Sequence, residues 1–459
     1  MGSAQVDSIA KCPLLRLPPE VMELIVREVG KSKDVASICQ CSRHLYEIGI
    51  RTLYDMPLAH NMKSMVRLLK SIIKKPELAR CVKRFTFDWA VKDAALVIGD
   101  NVLASFMRLA IRAIECMDNV YGLYMKMVPD LPELLGPRVI ANLTHCSLAI
   151  TKTAIPFLEA NAANIVDLEF ADNDAVPEPD RVLPGKIAFP RLANADVPAH
   201  IAHLVFPGTS AASATILLAY DEDERAEELK NLECLAELPL TSMKVSAAHL
   251  HPEVMPVLTR VAPRLGSLVI ESIITQTPRS RQLFFRACEE SVSAFERLRG
   301  FAVSVRAGIF NFDAEVPSLK DLDRMSDIVQ RLSARCRTLQ LMNIGFDLFW
   351  FPTGDVWLPR TINALTQDSE LINVLSTWMM NRVAKNPALM RAMISQAIRD
   401  YPAQFRELEQ SHGVKIRDPE VYGDDYDFEG GEDEDQEDEG DEEEEGEEWM
   451  TDEDGGSEE

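Results

Sequence analysis

The chain has 459 residues, 46% of them hydrophobic, and a net charge of −25. That length exceeds one typical domain, and the apolar content suits a large core and excludes a wholly disordered chain. The opening MGSAQVDSIAKC has no signal-like apolar run and no segment approaches a membrane span, while nine irregularly spaced cysteines fit reduced thiols; the expected setting is intracellular, cytoplasm and/or nucleus.

Residues 1–13 read as a flexible N-terminus and residues 14–57 as a trio of short amphipathic helices. Pro18 and Pro19 suit a first helical turn, whose N–H groups have no partner inside the helix. Val21, Leu24, Ile25 and Val29 follow at helical spacing as one apolar stripe. Gly30 stands where that helix stops, and Asp34 is placed to cap a second helix containing Val35 and Ile38. Ser42 is placed to cap a third, with Leu45, Ile48, Ile50 and Leu53 on its apolar face. A unit of about forty residues buries too little surface to be very stable alone, so it needs a neighbour.

Leu17-Pro18, Glu20, Val21, Leu24, Ile25, Val29, the Asp34-Val35 step, Ile38, Leu45 and Leu53 together resemble an F-box. The closing SRHLYEIGIRTLYD and the downstream LLKSIIKKPELARCVKRFTF are similar to the fungal form of the motif. The resemblance implies that Leu17, Pro18, Glu20, Val21, Leu24, Ile25, Val29, Ile38, Leu45 and Leu53 contact the Skp adaptor of a cullin–RING ubiquitin ligase. Many F-boxes carry a tryptophan near the start of the third helix; Leu45 and Tyr46 stand there instead.

Residues 58–81 read as a linking helix, with an apolar stripe of Met62, Met65, Val66, Leu69, Ile72 and Ile73. From 82 to 345 an x-x-L-x-L spacing recurs nine times. The matches are Val82-Phe85-Phe87, Val120-Leu123-Met125, Leu143-Cys146-Leu148, Ile165-Leu168-Phe170 and Ile201-Leu204-Phe206. They continue with Leu240-Met243-Val245, Leu265-Leu268-Ile270, Leu298-Phe301-Val303 and Cys336-Leu339-Leu341. This is the strand signature of leucine-rich repeats. Only three of the eight intervals between first positions fall within the usual 20–29 residues, so the repeats are irregular.

Helical periodicity between the matches implies parallel strands joined by crossovers. Polar residues alternate with the apolar ones, which favours an open solenoid over a barrel or a doubly wound sheet, whose strands are apolar on both faces. The expected fold is therefore α/β: an F-box-like motif, then an irregular leucine-rich-repeat-like solenoid with strands on the concave face and helices outside. A proline-rich loop is expected to interrupt it at 172–198, and a polar loop or helix start at 221–228. On the exposed face the outward positions include Arg84, Thr86, Tyr124, Lys126, Asp167, Glu169, Ser242, Lys244, Thr338 and Gln340. Of these Arg84, Tyr124, Lys126, Glu169, Lys244 and Gln340 are the candidate substrate contacts. These basic residues look scattered, giving little support for phosphate recognition.

Residues 346–414 form an aromatic-rich segment and C-terminal helices. Phe346, Phe349, Trp350, Phe351 and Trp357 fit two roles: Trp350 and Trp357 as anchors for a partner, or the whole cluster as a seal for the solenoid's open end. Residues 415–459 read as a disordered acidic tail. Residues 418–459 hold 25 of the 73 acidic side chains and no Lys or Arg, leaving 48 acids against 48 bases elsewhere. Such a tail solubilises, or holds a basic protein, and argues against a nucleic-acid ligand.

No phosphate loop, dinucleotide fingerprint or nucleophile elbow is present, and His200 with His203, or His249 with His251, lacks partners at metal-ligand spacing. The expectation is a non-catalytic subunit with no cofactor, one that docks the Skp adaptor and presents a protein substrate for ubiquitination. The alternative is a repeat scaffold whose acidic tail binds a basic client.

Overall fold

The computed structural model describes residues 17–59, 61–87, 100–125, 128, 130–171, 185–219, 222–272, 278–305, 318–344, 348–353, 356–361 and 369–383, with isolated positions between 386 and 406. Three short helices come first: α1 (Pro19–Glu28), α2 (Ser32–Cys41) and α3 (Arg43–Asp55). Pro18 is the N-cap of α1, Pro19 occupies its first turn, and Gly30 takes a φ of 70° just past its end. Ser42 Oγ accepts from Leu45 N at 3.1 Å and so caps α3. Asp34 does not cap α2. Lys31 holds that position, and Asp34 lies in the first turn, where a negative charge suits the helix dipole.

The core of this unit is Met22 and Val26 from α1, Val35 from α2, and Leu45 and Ile48 from α3. Leu17, Val29, Ile38, Cys39 and Leu53 pack around them, partly buried. Gly49 permits the close approach of α2 to α3, since a Cβ there would lie 2.6 Å from Cys39 Sγ.

The linking segment is two helices, α4 (Met62–Lys74) and α5 (Pro76–Ala79), broken by Pro76. Asn61 Oδ1 accepts from Ser64 N at 2.9 Å while Ser64 Oγ accepts from Asn61 N at 3.3 Å, a capping box for α4. Helix α4 buries Met65, Leu69 and Ile72 and exposes Lys63, Arg67, Lys70 and Lys74.

Ten parallel strands then lie side by side in chain order. They are β1 (Arg84–Thr86), β2 (Gly122–Tyr124), β3 (His145–Ala149), β4 (Asp167–Ala171), β5 (Asn194–Pro198), β6 (Ser213–Leu217), β7 (Ser242–Ala247), β8 (Ser267–Ser272), β9 (Gly300–Val305) and β10 (Leu341–Ile344). An antiparallel hairpin, β11 (Leu348–Thr353) and β12 (Val356–Thr361), extends the same sheet to twelve strands.

The crossovers carry α6 (Asp100–Glu115), α7 (Leu131–Leu135), α8 (Ile155–Asn161), α9 (Ala199–Val205), α10 (Glu222–Asn231), α11 (Val254–Val261), α12 (Pro278–Ser291) and α13 (Leu319–Arg335); α14 (Ser369–Val383) follows the hairpin. The architecture is thus α/β, with fourteen α-helices among the described residues and a mostly parallel sheet. Strand order never reverses, so there is no switch point of the doubly wound kind, and the first and last strands do not pair to close a barrel.

Register explains the core. The partnered row Phe85, Leu123, Cys146, Leu168, Ala195, Ala214, Met243, Leu268, Phe301 and Met342 is buried from end to end. Positions on either side of that row point to the opposite face.

The alignment corrects three sequence expectations. Ile201-Leu204-Phe206 is not a strand but belongs to α9 and its end. The ladder instead runs through β5 and β6, whose buried central residues are only Ala195 and Ala214, and β5 lies inside the stretch read as a loop; residues 172–184 of that stretch are outside the described residues. With Leu192 and Ala211 as first positions, Leu143, Ile165, Leu192, Ala211, Leu240 and Leu265 are spaced by 22, 27, 19, 29 and 25 residues. Finally, the last parallel strand buries Leu339, Met342 and Ile344 rather than Cys336, Leu339 and Leu341, because Met342 pairs with Phe301. Residues 222–228 of the polar stretch form most of α10; residue 221 lies outside the described residues.

Contacts divide the chain into two compact units, Met1–Leu389 and Met390–Glu459. The three-helix unit and the sheet both belong to the first. In the second, only isolated positions are described, and the acidic tail lies outside them. No helix among the described residues is long and apolar enough to cross a membrane.

Candidate functional surfaces

Helix α1 has two apolar faces. One carries Met22 and Val26 into the core of the three-helix unit. The other presents Val21, Leu24 and Ile25, with exposures of 39, 59 and 41%. Three large apolar side chains at positions i, i+3 and i+4 form a stripe on one helix face, held outward because the opposite face is anchored. Pro18 and Glu20 are exposed beside it, and Leu17 and Val29 are half-buried at its edge. Leu45, by contrast, is buried, and Ile38 and Leu53 pack against the core, so these three act by shaping the unit. Helical spacing alone located the stripe; it did not separate the inward face from the outward one, and Met22 was missed as the largest fully buried side chain of the unit.

The second surface is the open face of the sheet. Arg84, Tyr124, Glu169 and Lys244 all lie on it, half-buried, as the alternation predicts. Glu169 and Lys244 share a register row, with Asp196 and Thr215 between them, a separation of about 14 Å over three strand spacings. Lys126 lies outside the described residues. Gln340 is exposed but precedes β10; the outward residues of that strand are Leu341 and Asn343, three positions on from the Thr338 and Gln340 of the sequence reading. Trp350 and Trp357 are not surface anchors. Trp350 is 0% exposed and packs edge-to-face on Trp378 of α14 at 5.7 Å between centroids, and Trp357 is 6% exposed. Trp378 Nε1 donates to Asp323 Oδ1 of α13 at 2.9 Å, which fixes α14 over the hairpin. Both indoles, Trp350 and Trp357, are core residues.

The open face carries a polar ladder absent from the sequence reading. His145, Asp167 and Asn194 are register partners on β3, β4 and β5. His145 Nε2 lies 2.9 Å from Asp167 Oδ2, Asn194 Nδ2 donates to Asp167 Oδ1, and Thr144 Oγ1 lies 2.8 Å from His145 Nδ1. Thr144 Oγ1 also donates to Tyr121 O at 3.3 Å. Tyr121 leans on His145 at 5.5 Å between rings. Burial pushes the Tyr124 phenol up from its usual range; Arg84 nearby opposes that, while Tyr121, Glu169 and Asp167 reinforce it. Cross-strand partners are set by register, which a single strand's alternation does not reveal.

No protein-family model matches the chain, and no curated protein matches it either.

Proposed function

We propose that the chain is an F-box protein with degenerate leucine-rich repeats, a non-catalytic substrate receptor of a cullin–RING ubiquitin ligase. The observation that carries this reading is the outward stripe Val21, Leu24 and Ile25 on a helix whose other face is fixed by Met22 and Val26. Contiguous apolar side chains at such exposure call for a protein partner, and the resemblance identifies that partner as the Skp adaptor. The sequential parallel strands support the repeat reading: they leave one face uncovered, and its polar residues are available to a protein substrate. Ubiquitin transfer then follows from proximity, because the receptor raises the effective concentration of a substrate lysine near the bound conjugating enzyme.

The test is retention of purified Skp adaptor by the full chain. Leu24→Asp changes the most exposed residue of the stripe, so the helical signal of the protein stays intact while adaptor is lost. Leu17→Ala with Pro18→Ala weakens retention, and deletion of residues 418–459 leaves it unchanged. A wild-type chain that retains no adaptor, or a folded Leu24→Asp chain that retains it fully, ends the receptor reading.

A further inference from the structure

A cleft of about 490 Å³ separates the three-helix unit from the first strands, and Arg27, Thr52, Asp55, Lys83, Arg84 and Tyr121 line it. A second hollow of about 350 Å³ shares Asp55 and Lys83 and adds Glu23, Arg51 and Arg80. Basic residues that look scattered in sequence thus line two neighbouring hollows that share Asp55 and Lys83: five cations and two carboxylates in all. Both carboxylates are already engaged. Glu23 Oε1 accepts from Arg27 at 2.7 Å, and Asp55 Oδ1 lies 2.8 Å from Lys83 Nζ, with its Oδ2 4.0 Å from Arg84 Nη2. Arg51 and Arg80 have no carboxylate within ion-pair distance among the described residues.

Arg84 and Thr52 both line the cleft, and the Arg84 side chain is 41% exposed. Arg84 Nε and Thr52 Oγ1 have no hydrogen-bond partner among the described residues. Here the surplus is entirely of donors and positive charge. The group that answers it offers several acceptor oxygens and more than one negative charge.

We propose that this cleft binds the phosphate group of a small compound, held by the part-exposed guanidinium of Arg84 and by Lys83, with Arg27 in the same cleft and Arg51 and Arg80 in the adjoining hollow adding charge. The site lies where the three-helix unit meets the sheet, so occupancy ties the two together. The proposal does not rest on the adaptor reading.

The experiment is titration of the full chain with inorganic pyrophosphate, followed by calorimetry and by the thermal midpoint, with sodium chloride at matched ionic strength as reference. Saturable heat and a rising midpoint are expected. Arg84→Gln weakens the affinity roughly tenfold, the loss of one charged hydrogen-bonding group. Should Arg84→Gln fold poorly, Arg80→Gln, an exposed position, gives roughly a threefold loss from charge alone. Lys70→Gln, the same charge change on α4 outside the cleft, leaves affinity unaltered. Vesicles with phosphatidic acid as their only anionic lipid form a second arm. Binding of free pyrophosphate assigns a soluble compound; sedimentation with vesicles alone assigns a lipid headgroup. No binding in either arm, or binding equally strong in both arginine variants, overturns the site.

Discussion

Lys244 on β7 reaches diagonally to Glu271 on β8, placing Nζ 2.7 Å from Oε2. Ser246, the register partner of Glu271, donates to the same oxygen at 3.1 Å. The glutamate side chain is 10% exposed and the lysine 37%, so a nearly buried carboxylate depends on a partner at the rim. Lys244 stands on the face proposed to read substrate, yet it also has this structural task.

Lys244→Met therefore destabilises the fold by about 1–2 kcal/mol, less than the ~3–5 kcal/mol for breaking a fully buried pair, because solvent screens the exposed lysine. Glu271→Gln removes the charge that needs a partner, so the double variant regains most of the loss. Urea denaturation of the four proteins measures the coupling. Additive losses would show the pair to be indifferent. Any binding defect of Lys244→Met is attributable to substrate contact only if the double variant keeps it.

Gly49 sits in the middle of α3 where a Cβ would meet the Cys39 side chain of α2. Its absent Cβ would fall 2.6 Å from Cys39 Sγ and 3.8 Å from Val35 Cγ1 on α2. Gly49→Ala pushes the two helices apart at a cost of about 1–3 kcal/mol, outweighing the helix propensity gained. Cys39→Ala removes the obstructing sulfur, so Gly49→Ala with Cys39→Ala recovers much of the stability. Hydrogen exchange of the α2 and α3 amides reads this locally: protection falls in the single variant and returns in the double. An equal loss of protection in both would place the strain elsewhere.

Much of the fold was legible because bulky side chains carried it. Eight of the nine sequence matches lie at strands, seven of them in the correct register, since Phe85, Leu168 or Leu268 at the central position is hard to mistake. Where the central residue is alanine, as at Ala195 and Ala214, the signal vanishes although the position is equally buried. A nearby apolar triplet in α9 then took the missing strand's place. The stripe of α1 was legible from its spacing, but its inward and outward faces were not, because Val21 and Val26 are chemically alike and only packing distinguishes them. The polar ladder and the basic cleft were illegible for a different reason. His145, Asp167 and Asn194 meet through register, and Arg27, Arg51 and Lys83 meet through the docking of helices on a strand edge.

Trp350 provides a direct test of the packing between the hairpin and α14. Trp350→Ala costs about 3–5 kcal/mol, as expected for a fully buried aromatic whose removal leaves a large cavity under Trp378. Trp350→Phe costs much less, since Trp350 Nε1 has no partner among the described residues and the phenyl ring carries no such donor. Thermal unfolding separates the two variants, and substrate capture by Trp350→Phe stays at the wild-type level. A stable Trp350→Phe protein that lost its substrate would return this residue to the binding surface.

The buried thiols give the protein an alkaline limit. Burial pushes Cys146 on β3 up to about 12 and Cys234 up to about 11, and holds Cys288 on α12 well above its usual value of 9.0. In the unfolded chain these thiols ionise near 9.0, whereas in the folded chain they keep their protons beyond it. Between those limits the unfolded state binds fewer protons, so stability declines as pH rises. The contribution is complete below pH 9 and is lost progressively toward pH 12, at a slope on the order of 1 kcal/mol per pH unit for each fully buried thiol. Cys146→Ala flattens the slope in urea melts taken from pH 8 to 10.5. A thiol reagent at pH 8 gives the matching kinetic result: exposed Cys41 reacts at once, and Cys146 and Cys288 react only on unfolding. Rapid native-state modification of Cys146 would mean that β3 opens far more readily than its burial implies.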